Sequence, residues 1–208
     1  TNNFKETIEK YGSEAVQPYS YSGTMGMVGY WTMDTRFWNK MEAARLEQSI
    51  CIYAAMWAGL HTYGMAHANT SIHEAAQEAD YIILWGANLV STGVHAIPFI
   101  REAKQRGAKL VVIDPRQTRT TMMADWHIQP KPGTDAALAL GMMKVIVDKG
   151  LHDIEFMKEQ TIGWEALLET KLPDYPLDKV EQITGVAAAD IEKLATEYAS
   201  ANIAVIRA

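Results

Sequence analysis

The sequence predicts an α/β protein in which a parallel sheet flanked by helices follows a loop-rich and helical amino-terminal segment. Two apolar runs, 80–85 and 109–113, have the composition of strands buried on both faces of a parallel sheet. Between them, Ile97, Ile100 and Ala103 fall on one face of a helix. Strand, helix and strand thus follow one another within 34 residues, the length that a right-handed crossover unit requires.

The amino-terminal segment is predicted to hold short helices and loops. Residues 4–11 have the pattern of a short helix, and 17–30 are rich in Tyr, Ser and Gly, which predicts loops with one short strand. No Pro or Gly interrupts the chain between residues 35 and 59. We therefore expect one or two helices to run up to and through Cys51.

Further elements follow the crossover unit. Gly107 is placed to end the crossover helix in the left-handed conformation. Pattern and turn residues then predict a short strand, a helix, a second helix and a last strand, over 125–129, 133–148, 188–200 and 204–206. The predicted order from residue 80 onward is β-α-β-β-α-loop-α-β.

Composition excludes several classes of protein. The 208 residues include 19 basic and 25 acidic side chains, a net charge of −6, and 48% are hydrophobic, which is ordinary for a globular protein and argues against disorder. Scattered Lys and Arg form no basic stripe, so we expect no nucleic acid partner. The apolar runs fall far short of the roughly 20 residues of a membrane-spanning helix, so we expect no direct membrane insertion.

The single cysteine, Cys51, and the two ends of the sequence indicate which covalent and metal sites are excluded and whether the sequence is part of a longer chain. A single cysteine excludes an internal disulfide. It also excludes a cysteine-based zinc site and an iron–sulfur cluster held by this sequence alone. No Met and no charged-then-apolar leader stands at Thr1, and 203–207 has the pattern of a strand. We therefore expect an internal fragment of a longer chain, whose compartment, cytoplasmic or periplasmic, stays open.

Glycines and polar residues follow the first two predicted strands and also stand at the start of the helix predicted over 133–148. In open parallel sheets, ligands bind outside the carboxyl ends of the strands, because loops and helix amino termini face one crevice there. Three segments meet this description: Trp85-Gly86-Ala87-Asn88, Ile113-Asp114-Pro115-Arg116 and Gly133-Thr134-Asp135.

These groups suit a nucleotide. Gly86 allows a ligand to approach the backbone closely, and Asn88 can both donate and accept hydrogen bonds. Asp114 stands where a carboxylate receives two ribose hydroxyls, and the fork of Arg116 matches a phosphate or a base edge.

The same segments have structural interpretations: a turn at Gly86, a loop start at Asp114, and a helix opening in which Thr134 is the N-cap and Asp135 complements the helix dipole. The G-x-G-x-x-G fingerprint is absent after the first strand. The residues alone therefore leave a Rossmann-like nucleotide-binding module and a purely structural role both open. Cys51, among small apolar residues, has the surroundings of a buried space-filling side chain.

The ordered set of motifs resembles the molybdopterin oxidoreductases of the dimethyl sulfoxide reductase superfamily. The resemblance rests on YIILWGAN (81–88), IREAKQRGAKLVVIDPRQT (100–118), AD (124–125) and KPGTDAALALGM (131–142), and extends from about residue 11 to the end. It implies an enzyme that binds molybdenum or tungsten between two molybdopterin guanine dinucleotides and performs two-electron redox chemistry, often in anaerobic respiration.

The resemblance also implies roles for single residues. Gly86 and Asn88 would contact one dinucleotide, Asp114 and Arg116 would line its nucleotide half, and Asp135 would bind the guanine edge. Trp85, Gly133 and Thr134 complete the predicted cofactor-binding set within the same segments.

The segment SICIYAAMWAGL (49–60) is similar to the one that carries the protein ligand to the metal in this superfamily, which makes Cys51 the expected catalytic and metal-ligating residue. A soft thiolate suits a metal already held by dithiolenes. On this interpretation, residues 1–75 belong to the domain that carries the metal ligand. Residues 76–208 form an incomplete dinucleotide-binding α/β domain.

The superfamily further implies a 4Fe-4S cluster in an amino-terminal domain outside this sequence. The expected partners are the remainder of the same polypeptide, iron–sulfur electron-transfer subunits and membrane-anchor subunits, and this part alone is not expected to catalyse.

Ile52 replaces the His that follows the ligand in formate dehydrogenases, which disfavours formate oxidation and resembles the non-redox acetylene hydratase branch. A pterin-free scaffold subunit of a respiratory complex is a further alternative, and the substrate and the choice of metal stay open.

Overall fold

The computed structural model describes residues 2–20, 26, 28, 32–47, 49–50, 52–65 and 71–208. The chain divides into two compact units, Thr1–Asn69 and Thr70–Ala208. The first is helical and irregular in its described part, and the second contains a parallel sheet flanked by helices, so the predicted α/β fold class is confirmed. The roles assigned to residues 1–75 and 76–208 stay predictions.

The described part of the first unit contains three α-helices. They are α1 (Asn2–Tyr11), α2 (Met33–Met41) and α3 (Tyr53–Tyr63). The short helix predicted over 4–11 corresponds to α1. Most of the stretch 17–30, for which loops and one strand were predicted, lies outside the described residues, as does Cys51.

The prediction of helix across 35–59 is wrong in its middle. Glu42 takes a left-handed φ of 57°, and the N–H of Ala43 donates back to the carbonyl of Trp38 at 3.1 Å, an arrangement that ends α2. The next N–H, that of Ala44, donates to the carbonyl of Val16 at 3.0 Å. A tertiary hydrogen bond thus replaces the helical one, and no Gly or Pro marks the break.

Four parallel strands form the sheet of the second unit. They are β1 (Tyr81–Trp85), β2 (Lys109–Ile113), β3 (Trp126–Ile128) and β4 (Ala204–Arg207). Their order in the sheet is β3-β2-β1-β4, and every neighbouring pair is parallel. Each corresponds to a strand predicted from the sequence. Because all four run the same way, their carboxyl ends share one edge of the sheet.

Helices precede, connect and follow these strands. They are α4 (Ile72–Glu78), α5 (Leu89–Thr92), α6 (Ile97–Gln105), α7 (Asp135–Asp148), α8 (Ile154–Gln160), α9 (Trp164–Ala166), α10 (Leu177–Thr184) and α11 (Ala188–Ser200). The predicted helices correspond to α6, α7 and α11, and Gly107 has the predicted left-handed φ, 103°. Among the helices that the structure describes, none combines the length and the apolar character needed to cross a membrane.

Both faces of the sheet are buried. Along each strand, neighbouring side chains alternate between the two faces. Ile83 and Val111 pack with α7, α10 and α11, whereas Ile82 and Val112 pack with α5 and α6, and all four are at most 1% exposed. Burying each such side chain contributes about 1.5–3 kcal/mol. The helices therefore cover the faces, and the loops at the strand ends carry the polar groups available to a ligand.

Candidate functional site

The loops that follow the strands begin side by side at the carboxyl edge. The N–H of Gly86 donates to the carbonyl of Ile113 at 2.8 Å, and the N–H of Asp114 donates to the carbonyl of Ile128 at 3.1 Å. The first residue after β1 and the first after β2 thus continue the hydrogen bonding of the sheet. This brings together the first two segments that the sequence singled out.

Gly86 makes the turn out of β1. Its φ of 65° lies in the left-handed region, which disfavours a residue with a side chain, and a Cβ placed on it would meet no atom within 4 Å. The backbone is therefore bent sharply and open on the side where a side chain would stand. A ligand can approach the main chain there.

Asn88 starts the short helix α5 and is held by a buried threonine. Its Oδ1 lies 2.7 Å from Oγ1 of Thr120, and that hydroxyl accepts from the N–H of Val90 at 3.1 Å. Thr120 is only 1% exposed. Asn88 is thus fixed to the loop that follows β2, although 32 residues separate it from Thr120 along the chain.

Asp114 is buried and stabilises the loop that it begins. Its Oδ1 accepts from the N–H of Arg116 at 2.8 Å, while its carbonyl oxygen lies 2.8 Å from Nε2 of His127. Through Oδ1, Asp114 therefore stabilises the start of this loop, as its structural interpretation predicted. Arg116 is exposed at the same edge, and the ribose and phosphate roles predicted for the two side chains stay predictions.

Asp135 joins the same edge from the first turn of α7. The indole Nε1–H of Trp85 donates to Oδ1 of Asp135 at 2.7 Å, across 50 residues of sequence. The ring of Trp85 also packs against the core. The carboxylate of Asp135 is therefore oriented by a side chain that the core itself positions.

Thr134 occupies the predicted N-cap position of α7, but its side chain does not cap the helix. The hydroxyl donates instead to the carbonyl of Lys131 at 2.6 Å. The preceding residue, Gly133, has a φ of 79°. Thr134 therefore stabilises the turn before α7 by a hydrogen bond within the loop. Asp135 is the acidic side chain in the first turn of the helix.

The structure thus brings together Trp85, Gly86, Asn88, Asp114 and Asp135 at one edge of the sheet. Cys51 lies outside the described residues, so its predicted role as metal ligand and catalytic residue stays a prediction. Within the described ranges, no group of three or more His, Cys, Asp or Glu side chains could hold a metal ion.

Sequence reasoning missed one residue of this site, Thr120. It stands in the threonine-rich stretch Thr118-Arg119-Thr120-Thr121, where nothing distinguishes the three hydroxyls. A buried hydroxyl that binds a predicted site residue becomes visible only once the loop conformation is known.

The geometry is that of an α/β domain whose parallel strands bring several polar loops to one edge, and comparison with known proteins identifies its family. A family model described as molybdopterin oxidoreductase matches residues 1–189. The chain belongs to this family and hence to the dimethyl sulfoxide reductase superfamily.

Three similar proteins illustrate the relationship. The chain is 39% identical over 207 residues to "Probable oxidoreductase YoaE" of Bacillus subtilis, covering 100% of this chain and 30% of that protein. It is 34% identical over 203 residues to acetylene hydratase of Syntrophotalea acetylenica, covering 97% and 27%. The solved structure of acetylene hydratase from Pelobacter acetylenicus matches 100% of this chain and 28% of its own, with a TM-score of 0.68 and 29% identity. The chain therefore spans less than a third of each relative.

Proposed function

We propose that the second unit holds the nucleotide half of a molybdopterin guanine dinucleotide within a molybdenum- or tungsten-dependent oxidoreductase. The observation that carries the proposal is the convergence of Asn88, Asp114 and Asp135 at the carboxyl edge of the sheet. Family membership supports it, because molybdopterin is the cofactor after which the family is named.

The residues at this edge fit such a group. A guanine base presents two neighbouring donors, N1–H and the exocyclic amine, and a carboxylate accepts from both. Asp135 provides that carboxylate: Trp85 anchors Oδ1, and no residue that the structure describes donates to Oδ2. Gly86 offers open backbone, and exposed Arg116 offers a cation for phosphate.

Bound to two such dinucleotides, the metal supplies two-electron transfer to or from a substrate. In this proposal Cys51 contributes a thiolate ligand, which suits a soft coordination sphere. Asp135 selects guanine over adenine because adenine presents an acceptor, not a donor, at N1. Asn88 donates to oxygen atoms of the dinucleotide.

The whole enzyme needs more than this chain. Since the chain spans less than a third of each relative, we propose that the remainder of the same polypeptide completes the active site and carries a 4Fe-4S cluster. Iron–sulfur electron-transfer subunits and membrane-anchor subunits are further proposed partners.

The guanine contact is tested by replacing Asp135 in the full-length protein. We expect Asp135→Ala to weaken dinucleotide binding by about 1.5–3 kcal/mol, the range for hydrogen bonds to a charged partner. Asp135→Asn keeps an oxygen for Trp85 but turns an amide N–H₂ towards guanine donors, so it should weaken binding as well. The measurement is guanine nucleotide released per protein by acid hydrolysis.

Asp148→Ala is the matched control, because Asp148 ends the same helix and pairs with Lys144 in an exposed ion pair. It should leave the guanine content unchanged. Unchanged content in both Asp135 variants would remove Asp135 from the site.

The role of Cys51 has its own test in the intact protein. A metal-bound thiolate should resist alkylation while the cofactor is present and react once the cofactor has been removed. Mass spectrometry of the peptide containing Cys51 measures this. A space-filling cysteine would resist in both states, and a free surface thiol would react in both; either outcome contradicts metal ligation.

A non-redox hydratase is the second candidate. It is favoured by the similarity to acetylene hydratase over 97% of the chain and by apolar Ile52 next to Cys51. Turnover of acetylene without an external electron acceptor would select it. Turnover that requires an artificial electron donor or acceptor would select the oxidoreductase.

A further inference from the structure

Asn88 stands at the N-cap position of α5, yet its side chain does not cap the helix. The hydroxyl of Thr120 does so instead, accepting from the N–H of Val90, the second residue of the helix, at 3.1 Å. An asparagine at this position ordinarily uses its own side-chain oxygen for that bond. Because Thr120 caps the helix, the side-chain amide of Asn88 is not needed for capping.

The same hydroxyl fixes which way the amide of Asn88 is turned. A threonine hydroxyl has one hydrogen to donate. Oγ1 of Thr120 accepts from the N–H of Val90 at 3.1 Å and donates this hydrogen to Oδ1 of Asn88 at 2.7 Å. Thr120 is 1% exposed, so a reversed amide would leave its buried hydrogen without this acceptor, at the cost of an unmade hydrogen bond.

With Oδ1 committed to Thr120, the remaining polar group of Asn88 is the N–H₂ of Nδ2, which only donates. Among the residues that the structure describes, none accepts a hydrogen bond from it. Asn88 follows the exposed turn at Gly86, on the edge where the dinucleotide is proposed to bind.

We infer that Thr120 is a positioning residue that turns the amide of Asn88 so that this edge of the site donates to an oxygen of the bound dinucleotide. The inference rests on the proposed function, because it requires a dinucleotide at this edge. The diphosphate is the part of the ligand richest in acceptor oxygens, and the geometry commits Asn88 to that chemistry rather than to accepting from a ribose hydroxyl.

The test uses the full-length protein loaded with its cofactor and measures how fast guanine nucleotide is released into cofactor-free buffer below the unfolding temperature. Thr120→Val removes the hydroxyl at nearly constant volume, and we expect release about tenfold faster, as for Asn88→Ala. Thr120→Ser keeps the hydroxyl and should restore slow release. In the Asn88→Ala background, Thr120→Val should change the release rate no further, although it still lowers thermal stability.

Additive effects of Thr120→Val and Asn88→Ala would overturn the inference, because they would mean that Thr120 acts through the loop and not through Asn88. Should Thr120→Val not fold, Asn88→Asp provides the test. It keeps an acceptor for Thr120 but replaces the N–H₂ by a charged oxygen, so release should be faster than from Asn88→Ala. Release as slow as from the wild type would overturn the inference.

Failure of the proposed function gives a different pattern. A wild-type protein without guanine nucleotide contradicts both proposals. Guanine that is lost in Asp135→Ala but retained unchanged in Thr120→Val and Asn88→Asp contradicts the roles of Thr120 and Asn88 and leaves the guanine contact of Asp135 supported.

Discussion

Glu197, on α11, binds two polar side chains at the amino-terminal ends of the strands. Its carboxylate accepts from the hydroxyl of Tyr81 at 2.9 Å and from Nζ of Lys109. Burial opposes ionisation of Glu197, but the bonds from Lys109 and Tyr81 and the charges of Lys109 and Lys193 outweigh it and hold its pKa below the ordinary value. Burial, together with the neighbouring carboxylate, raises the pKa of Tyr81. This cluster lies at the edge opposite the candidate site and ties α11 to the sheet.

The cluster makes stability depend on pH in a defined direction. Because folding lowers the pKa of Glu197 below the value of the unfolded chain, its ionised form stabilises the folded state above that unfolded-state pKa. The contribution is lost as the pH falls through the lowered folded-state value. We expect Glu197→Gln to be less stable at neutral pH and to lose less stability than the wild type between about pH 5 and about pH 3.

Denaturant unfolding at a series of pH values measures this difference. Glu192→Gln is the control, because Glu192 pairs with Lys149 in a solvent-exposed ion pair. Identical acid dependence in Glu197→Gln and the wild type would show that the cluster contributes nothing to acid stability.

The position of most site residues could be predicted from the sequence, but their partners could not. Gly86, Asn88 and Asp114 were placed correctly because chain order alone puts the residues after parallel strands at one edge. The contacts of Asn88 with Thr120 and of Trp85 with Asp135 join residues 32 and 50 positions apart. Such pairs depend on loop conformation, which no local pattern encodes.

At the scale of elements, α7 and α10 pack closely at Gly141. A Cβ on Gly141 would lie 2.9 Å from Cγ1 and 3.0 Å from Cγ2 of Val180, a fully buried side chain. Alanine would gain about 1 kcal/mol of helix propensity, but overpacking of a buried contact costs about 1–3 kcal/mol. The close approach of the two helices therefore requires glycine.

We expect Gly141→Ala to lower the free energy of unfolding by roughly 1 kcal/mol, because the clash exceeds the gain in helix propensity. In a Val180→Ala background the clashing methyl groups are absent, so the same substitution should raise the free energy of unfolding. Equilibrium denaturation of the four proteins of this cycle decides the matter. The same sign in both backgrounds would contradict the packing described here.

Elements were predicted well where their pattern was strong. The four strands and α6, α7 and α11 have continuous apolar runs or clear helical spacing. In contrast, α8 and α10 are short and lie in a stretch interrupted by Pro173 and Pro176, and were not predicted. The break after α2 was missed because a left-handed Glu42 and a tertiary hydrogen bond, not a Gly or Pro, produce it.

At the scale of the whole molecule, burial of both faces of one parallel sheet determines where a ligand can bind. The fold class could be predicted because strands covered on both sides need apolar runs. The reaction could not, since the relatives that match nearly the whole chain include a protein named as an oxidoreductase and one named as a hydratase. In addition, the unmatched part of each relative is more than twice as long as the matched part.

The most direct test of the proposed function is the nucleotide and metal content of the native full-length protein. Acid hydrolysis should release GMP, and elemental analysis should find molybdenum or tungsten, at roughly two GMP per metal, the ratio expected for the proposed binding of each metal by two dinucleotides. Protein that contains neither GMP nor either metal would contradict the account and favour a pterin-free scaffold, whereas an adenine nucleotide alone would favour a Rossmann-like nucleotide-binding module.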